Sequence, residues 1–573
     1  MNRRFFDRSE LTRHLWSFRK EFLWVGFFSL VANLLLLTPT IYMLQLYDRV
    51  FKSRSELTLL VVTILMVLLY GIMAFAEWLR TRLLIRGGVR LDEALNSIVF
   101  NASFERNLKH SGSNPAEAMS DLTTIRQFLT GNGIFAFFDT PWTPIYIAVI
   151  FLLSPFLGWV SILFCCLQLV VAWFSHKVTQ DDIERSATAV GESNAYLQGK
   201  LRNIEPVHAM GMTKSLRKRW LEHHEHAILQ SGTMQHKQHR QQAFSKFVRY
   251  TMQSLTLGAG ALMVIEGKMS PGGMIAANVL MSKALQPLDL IIVVWKPFIQ
   301  ARSAFLRLET LLADFPELPE KPAMRPPQGD VRIEGLTATV VGREKPILHS
   351  LEALFPAGTV VAVIGPSGSG KSTLARCLVG AWPEVAGSVL YDDELIERWE
   401  REALGPYIGY LPQEIELFDG TIADNIARFG EIDPAKVIAA AQCTGVHELI
   451  LRFPNGYNTQ IGEAGGMLSG GQRQRIGLAR ALYGNPSVIV LDEPNSNLDD
   501  AGERSLVQAV TDLKAKGKTV FLITHRLNIL GAADRVLAMK EGRIEHYGLR
   551  DGVLEVMQAQ AAQRAESTAP TNN

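Results

Sequence analysis

Long unbroken apolar runs are confined to the first half of the chain. They cover about 22-46, 57-78, 134-153 and 156-176, and two weaker runs with polar breaks follow at 248-265 and 273-297. A membrane helix needs ~20 mostly apolar residues, so the pattern predicts six spans. Buried helices of a soluble protein carry a polar face, and the first four runs have none. The basic start 1-MNRRFF-6 fits a signal peptide, but the apolar core after it is too long and no A-x-A site follows. The first run therefore reads as a retained span.

The stretches between spans two and three, and between four and five, are long and polar. They read as helices that continue beyond the bilayer. Basic residues set the orientation. Arg3, Arg4, Arg8, Arg13, Arg19 and Lys20 precede the first span, Arg80, Arg82, Arg86 and Arg90 follow the second, and Arg217, Lys218 and Arg219 lie between the fourth and fifth. All of these are expected on the cytoplasmic side. Arg49, Lys52 and Arg54 then face outward, a minor violation of the rule.

The membrane domain is thus expected over 1-310. A linker over 311-330 follows, with Pro316, Pro319, Pro322, Pro326 and Pro327 forbidding a continuous helix. From Val331 strands alternate with helices, the pattern of an α/β domain, expected over 331-557. The tail 558-573 reads as disordered. A near-balanced charge of +2 argues against nucleic-acid binding by bulk electrostatics. The four cysteines, Cys165, Cys166, Cys377 and Cys443, form no C-x-x-C and suggest neither a disulfide framework nor a metal site. They fit a reducing compartment.

The chemistry lies in the second half. An apolar strand, a glycine loop and a helix over 359-380 match G-x-x-x-x-G-K-[ST]. Gly365, Pro366, Ser367, Gly368, Ser369, Gly370, Lys371, Ser372 and Thr373 are the expected ATP-binding residues. Backbone N–H groups wrap the phosphates, Lys371 reaches the terminal phosphates and Ser372 can bind Mg²⁺. The strand 487-SVIVLDEP-494 ends in two acids. Asp492 suits Mg²⁺, and Glu493 is placed to orient or deprotonate a water. A second glycine turn, Ser469, Gly470 and Gly471, feeds a helix from Gln472 and makes another anion site. One nucleotide cannot be wrapped by two such loops of one domain. The simplest resolution is a C2 homodimer in which each chain lends this turn to the nucleotide of its twin.

The motifs LSGGQ (468-472) and LDEP (491-494) resemble the ATP-binding-cassette (ABC) family. That resemblance implies a P-loop ABC nucleotide-binding domain preceded by an all-α, six-helix transmembrane domain with cytoplasmic extensions. It also implies roles for further residues. Gln413 resembles the Q-loop residue that contacts Mg²⁺ or water, and with Glu493 and His525 it makes the catalytic set. His525 resembles the switch histidine at the γ-phosphate. Asp499 resembles the D-loop, and Glu463 a cross-talk segment, both concerned with communication across the dimer. One departure stands out: the place of the adenine-stacking aromatic aligns near Val340, which has no ring.

The stretches 138-FDTPWTPIY-146 and 266-288 resemble the permease of type I protein secretion, in the branch exporting metalloproteases, lipases and haem-binding proteins. A start of the spans near residue 22 leaves no room for the peptidase-type domains of other branches. The resemblance implies a bacterial inner-membrane protein with a cytoplasmic ATP-binding domain. Its expected partners are a periplasmic adaptor (membrane-fusion) protein, an outer-membrane channel protein, a secreted polypeptide with a C-terminal signal, and membrane lipid, but no nucleic acid. Two rivals stand beside this reading. One is an ABC exporter or flippase of lipids or hydrophobic small molecules; the other is a nucleotide-gated channel or regulator that binds ATP without productive turnover. Asp139, inside the third apolar run, either lines a translocation path or caps a helix near the interface. Lys283, Asp289 and Lys296 pose the same question in the last span.

Overall fold

A computed structural model describes residues 9-109, 115-201, 204-317, 321, 324-340, 345-462, 468-524 and 526-568. Glu463 and His525, both expected at the site, lie outside the described residues. The chain divides into two compact units. One comprises Met1–Arg106 with Asn114–Glu317, the other Leu318–Asn573 with Asn107–Ser113.

The first unit is helical. A short helix Glu10–Ser17, opened by a Ser9 capping box, precedes the first span. The first span is a broken helical run, Arg19–Leu35 and Thr38–Gln45, followed by a π-turn Leu46–Val50. The helix Glu56–Lys109 has 54 residues and spans ~80 Å at 1.5 Å per residue, far more than a hydrocarbon core of ~30 Å. The helices Pro155–Leu201 and Thr213–Ile265 are similarly long, so the polar stretches do continue the spans as helices.

Five helical runs among the described residues are long and apolar enough to cross a membrane: Arg19–Ser53, Glu56–Lys109, Gly133–Leu153, Pro155–Lys200 and Pro271–Asp314. The expected span at 248-265 is not a separate helix. It forms the apolar end of the otherwise polar Thr213–Ile265 and does not reach that hydropathy. The linker also begins later than expected, because the last helix runs to Asp314. In the most apolar window of Glu56–Lys109 only 6% of residues are buried inside the protein, so that face needs lipid or another chain.

The helix Pro271–Asp314 is the centre of this unit. Ala277, Leu280, Met281, Ala284, Leu285 and Leu288 recur at helical spacing and are buried against Tyr146, Ile150, Leu157 and Met252. Small residues there let helices approach closely. A second cluster lies nearer the helix ends, where Leu91, Leu95 and Val99 meet Leu122, Ile125, Ala304, Leu308 and Leu311.

Among the described residues the second unit has twelve strands: β1 Val331–Ala338, β2 Leu348–Phe355, β3 Val360–Ile364, β4 Val385–Tyr391, β5 Glu394–Leu395, β6 Ile408–Leu411, β7 Gly420–Thr421, β8 Gln460–Ile461, β9 Val488–Asp492, β10 Thr519–Ile523, β11 Arg535–Lys540 and β12 Arg543–Leu549. The main sheet has the order β12-β11-β3-β10-β9-β6, parallel except for β12. β3, β9 and β10 are near-continuous apolar runs because both of their faces are covered. A smaller antiparallel sheet, β2-β1-β4-β5, adjoins it. The tail is not structureless as expected: a helix runs over Arg550–Thr568.

Candidate nucleotide site

Four neighbouring parallel strands, β3, β10, β9 and β6, deliver the candidate residues to one edge of the sheet. The glycine loop leaves the end of β3. Asp492 and Glu493 end β9, Thr524 follows β10, and Gln413 stands two residues beyond β6. Ligands of open α/β sheets bind outside the carboxyl ends of the strands, which is this edge.

The loop needs its glycines. Gly365 has φ +150°, and a Cβ there would meet the Met539 carbonyl at 2.2 Å and Ser369 Oγ at 2.9 Å. Gly370 has φ +96° and lies against Leu348. Lys371 Nζ donates to the Gly365 and Pro366 carbonyls at 3.0 and 2.9 Å. Burial lowers its pKa, and the nearby Glu493 and Asp492 oppose that shift. The helix Lys371–Leu378 then carries Ser372 and Thr373.

Asp492 is 2% exposed, and burial raises its carboxyl pKa, while a hydrogen bond from Ser372 pulls it down and the Glu493 charge pushes it up. Its Oδ1 is buried without a hydrogen-bond partner. An unpartnered carboxylate oxygen beside a hydroxyl fits a hard, oxygen-seeking cation such as Mg²⁺. Glu493 adopts a left-handed backbone, φ +49°, which is uncommon for a non-glycine residue. Gln413 Nε2 donates to Glu493 Oε2 at 3.2 Å. The three acidic and amide groups expected to share the reaction are therefore together.

The turn at Ser469 is a helix start. Ser469 Oγ accepts from Gln472 N at 3.3 Å, and Gln472 Oε1 accepts from Ser469 N at 2.9 Å, a reciprocal capping box. Gln472 is thus engaged within its own turn. Ser469 itself is exposed, and the first-turn N–H groups of the helix Gly470–Leu482 have no partner within the helix. Asp499 caps the next helix through Gly502 N at 2.9 Å and pairs with Arg475 at 3.2 Å. Val340 follows β1 and carries no ring. An indole does reach this end of the strand: Trp382 Nε1–H donates to the Thr339 carbonyl at 2.8 Å.

Sequence reading missed Gln474. It is 1% exposed and bonded to three residues around Glu493. The signal was available: it shares the buried stripe of Gly477, Leu478 and Ala481, where a polar side chain needs a partner.

In the membrane-type unit, Asp139 does not cap a helix and is held by partners from other helices. Its Oδ1 accepts from Arg80 Nη1 at 2.8 Å, Ser29 Oγ at 2.5 Å and Asn33 Nδ2 at 2.9 Å, and it makes no capping hydrogen bond. Tyr146 OH extends the network to Asn33 Oδ1 at 2.8 Å. Asp289 is likewise paired, with Arg249 at 2.9 Å, Gln168 at 2.5 Å and Ser245 at 2.9 Å.

Comparison with known proteins agrees with this geometry. Residues 348–496 match the family model of the ABC transporter, and residues 22–288 that of the ABC transporter transmembrane region. The chain is 40% identical over 549 residues to the type I secretion system ATP-binding protein PrsD of Rhizobium meliloti, covering 95% of this chain and 94% of that protein. It is 29% identical to the exotoxin translocation ATP-binding protein PaxB of Pasteurella aerogenes, over 94% of this chain and 76% of that one. Among solved structures, a bacterial Atm1-family ABC exporter with ATP bound superposes with a TM-score of 0.83, at 23% identity, over 97% of this chain and 99% of the other. At that identity the likeness carries the fold alone.

Proposed function

The chain belongs to the ABC transporters of type I secretion, and from that membership we propose that it is the energising component of a type I secretion system, moving unfolded polypeptides with a C-terminal signal across the bacterial inner membrane. It is an ATPase and a multi-pass membrane protein. The observation that carries the catalytic reading is the convergence of the glycine loop, Asp492, Glu493 and Gln413 at the ends of adjacent strands, with Gln413 bonded to Glu493 at 3.2 Å.

In this reading the loop from Gly365 to Thr373 holds the triphosphate and Lys371 leaves its carbonyl partners for the terminal phosphates. Ser372, Asp492 and Gln413 hold Mg²⁺, which supplies charge neutralisation at the phosphates. Glu493 orients and deprotonates the attacking water. Ser469, Gly470, Gly471 and Gln472 present their helix start to the nucleotide of the twin chain in a homodimer. Asp499, tied to Arg475 of the same helix, joins that helix to the segment after Glu493. His525 and Glu463 keep the roles that the family resemblance implies. Nucleotide shifts the membrane helices by its greater affinity for the closed pair of cassettes, and hydrolysis releases them. A periplasmic adaptor and an outer-membrane channel complete the conduit. The membrane domain crosses six times, with the apolar end of Thr213–Ile265 as the fifth span and the cassette in the cytoplasm.

The polypeptide cargo rests on the whole-length likeness to PrsD. Asp139 and Asp289 are spent on internal ion pairs, so intramembrane charge does not separate a polypeptide route from a lipid route. The direct test uses the purified transporter in liposomes. The C-terminal segment of a polypeptide secreted through the same system should change its ATPase rate, whereas a scrambled segment or added lipid should not. Stimulation by lipid alone would replace this reading with a flippase.

A further inference from the structure

The helix that starts at Ser469 is tied to the acidic strand end of its own chain through one buried amide. Gln474 Nε2 donates to the Glu493 carbonyl at 3.1 Å. Its Oε1 accepts from Ser496 Oγ at 3.3 Å and from Asn497 Nδ2 at 3.1 Å. The same Glu493 carbonyl accepts from Ser496 N at 3.2 Å, and Glu493 N donates to the Ile523 carbonyl at 3.0 Å. Glu493 is therefore held at both backbone groups while its φ is +49°. Backbone contact reinforces the tie, since a Cβ on Gly471 would stand 2.8 Å from the Asn497 carbonyl.

The chemistry of an amide explains why this side chain is glutamine. One end must donate to a carbonyl while the other accepts from two donors. A carboxylate can do only the second, and a thioether of similar size neither. At 1% exposure no water substitutes for a lost partner. The held segment has little freedom, because a left-handed non-glycine residue has few alternative conformations nearby. A small movement of the helix start toward a phosphate is then passed to the Glu493 carbonyl, and the carboxylate turns with it.

We propose that Gln474 is a positioning residue that links the two nucleotide sites of the dimer: engagement of the Ser469 turn with the twin's nucleotide sets the orientation of Glu493 toward the chain's own. This rests on the reading above, in which Ser469 acts in trans and Glu493 in cis. The link makes ATP turnover cooperative, because each site is completed and then adjusted by the other.

The test uses the full-length dimer in lipid. Gln474→Glu keeps the acceptor toward Ser496 and Asn497 and removes the donor to Glu493. Gln474→Met removes both. Asn497→Ala removes one exposed donor and leaves the buried amide in place. For the two Gln474 variants kcat should fall about tenfold, the rate equivalent of one hydrogen bond at a buried partner. The ATP concentration at half-saturation should move less than about twofold, and the Hill coefficient for ATP should drop to one. Asn497→Ala should lower the Hill coefficient with little change in kcat. Unchanged cooperativity in a folded Gln474→Glu or Asn497→Ala protein overturns the link, as does a parallel fall in kcat and ATP affinity with lowered thermal stability. A Ser469→Ala control separates the two levels. If it turns over ATP normally, the underlying trans reading fails; if it is inactive while the Gln474 variants stay cooperative, only the link fails.

Discussion

Replacing Asp139 with alanine would leave the Arg80 guanidinium in a nearly dry position. The Arg80 and Asp139 side chains are 10% and 19% exposed, and the carboxylate gathers Arg80, Ser29 and Asn33 from two other helices. Breaking a buried pair by removing one partner costs about 3–5 kcal/mol, most of it the penalty of the charge left behind. Arg80 keeps two weaker contacts: a long hydrogen bond from Nη1 to Ser29 Oγ at 3.4 Å, and its guanidinium lying 4.1 Å from the Phe135 ring centroid, the latter worth roughly 0.5–2 kcal/mol. Asp139→Ala should therefore destabilise the membrane unit by about 2–4 kcal/mol, and Asp139→Asn by less, since an amide oxygen still accepts from Ser29 and Asn33. Removing both charges with Asp139→Leu and Arg80→Met should recover most of the loss. Reversible unfolding in mixed micelles, followed by tryptophan fluorescence, gives the double-mutant cycle. A coupling energy below about 0.5 kcal/mol would refute the pairing argument. Reduced export at unchanged stability in Asp139→Asn would instead return the residue to the translocation path.

Other outcomes follow from the nucleotide site. Glu493→Gln should retain bound ATP while hydrolysis falls ~10²–10⁴-fold, the usual worth of a general base; single-turnover hydrolysis at the wild-type rate contradicts its assignment. Gly471→Ala drives a methyl group into the Asn497 carbonyl and should lower turnover while equilibrium ATP binding persists. Loss of both together contradicts a role confined to the twin's site. Burial raises the Asp492 pKa above the ordinary carboxylate range. A raised folded-state pKa stabilises the folded chain at low pH, and this contribution disappears as pH rises through that value. With Mg²⁺ chelated, wild type should thus lose stability relative to Asp492→Asn as pH rises through that value. A Tm difference independent of pH would contradict the burial argument.

The parts of the candidate nucleotide site that the structure brings together were legible in the sequence, because each is local. The glycine loop, the strand Val488–Asp492 with its acids, and the Ser469 helix start each occupy a few consecutive residues whose chemistry is apparent on inspection. Their convergence is a matter of strand order, and alternating strands and helices already imply a parallel sheet with its ligands at one edge. What stayed hidden depends on partners far apart along the chain. Asp139 meets Ser29 and Asn33 across more than a hundred residues, so a carboxylate in an apolar run could not be told from a path-lining charge. Gln474 was overlooked because a polar residue two places past LSGGQ reads as ordinary helix surface until its burial is known. The 248-265 stretch has a weak hydropathy signal because it shares one helix with a polar half, and the weaker span expected there is the apolar end of Thr213–Ile265. The tail reads as disordered from its polar composition, yet it forms a helix, in keeping with alanine, glutamine, arginine and glutamate being good helix formers.

The sharpest measurement uses heterodimers that differ only in how two substitutions are distributed. With Lys371→Ala in one chain and Ser469→Ala in the other, composite sites leave one pocket intact, and one nucleotide should be trapped per dimer with vanadate. With both substitutions in the same chain and a wild-type partner, every pocket is damaged and none should be trapped. The reverse result, trapping in the second dimer and not in the first, would mean that each chain closes its own site.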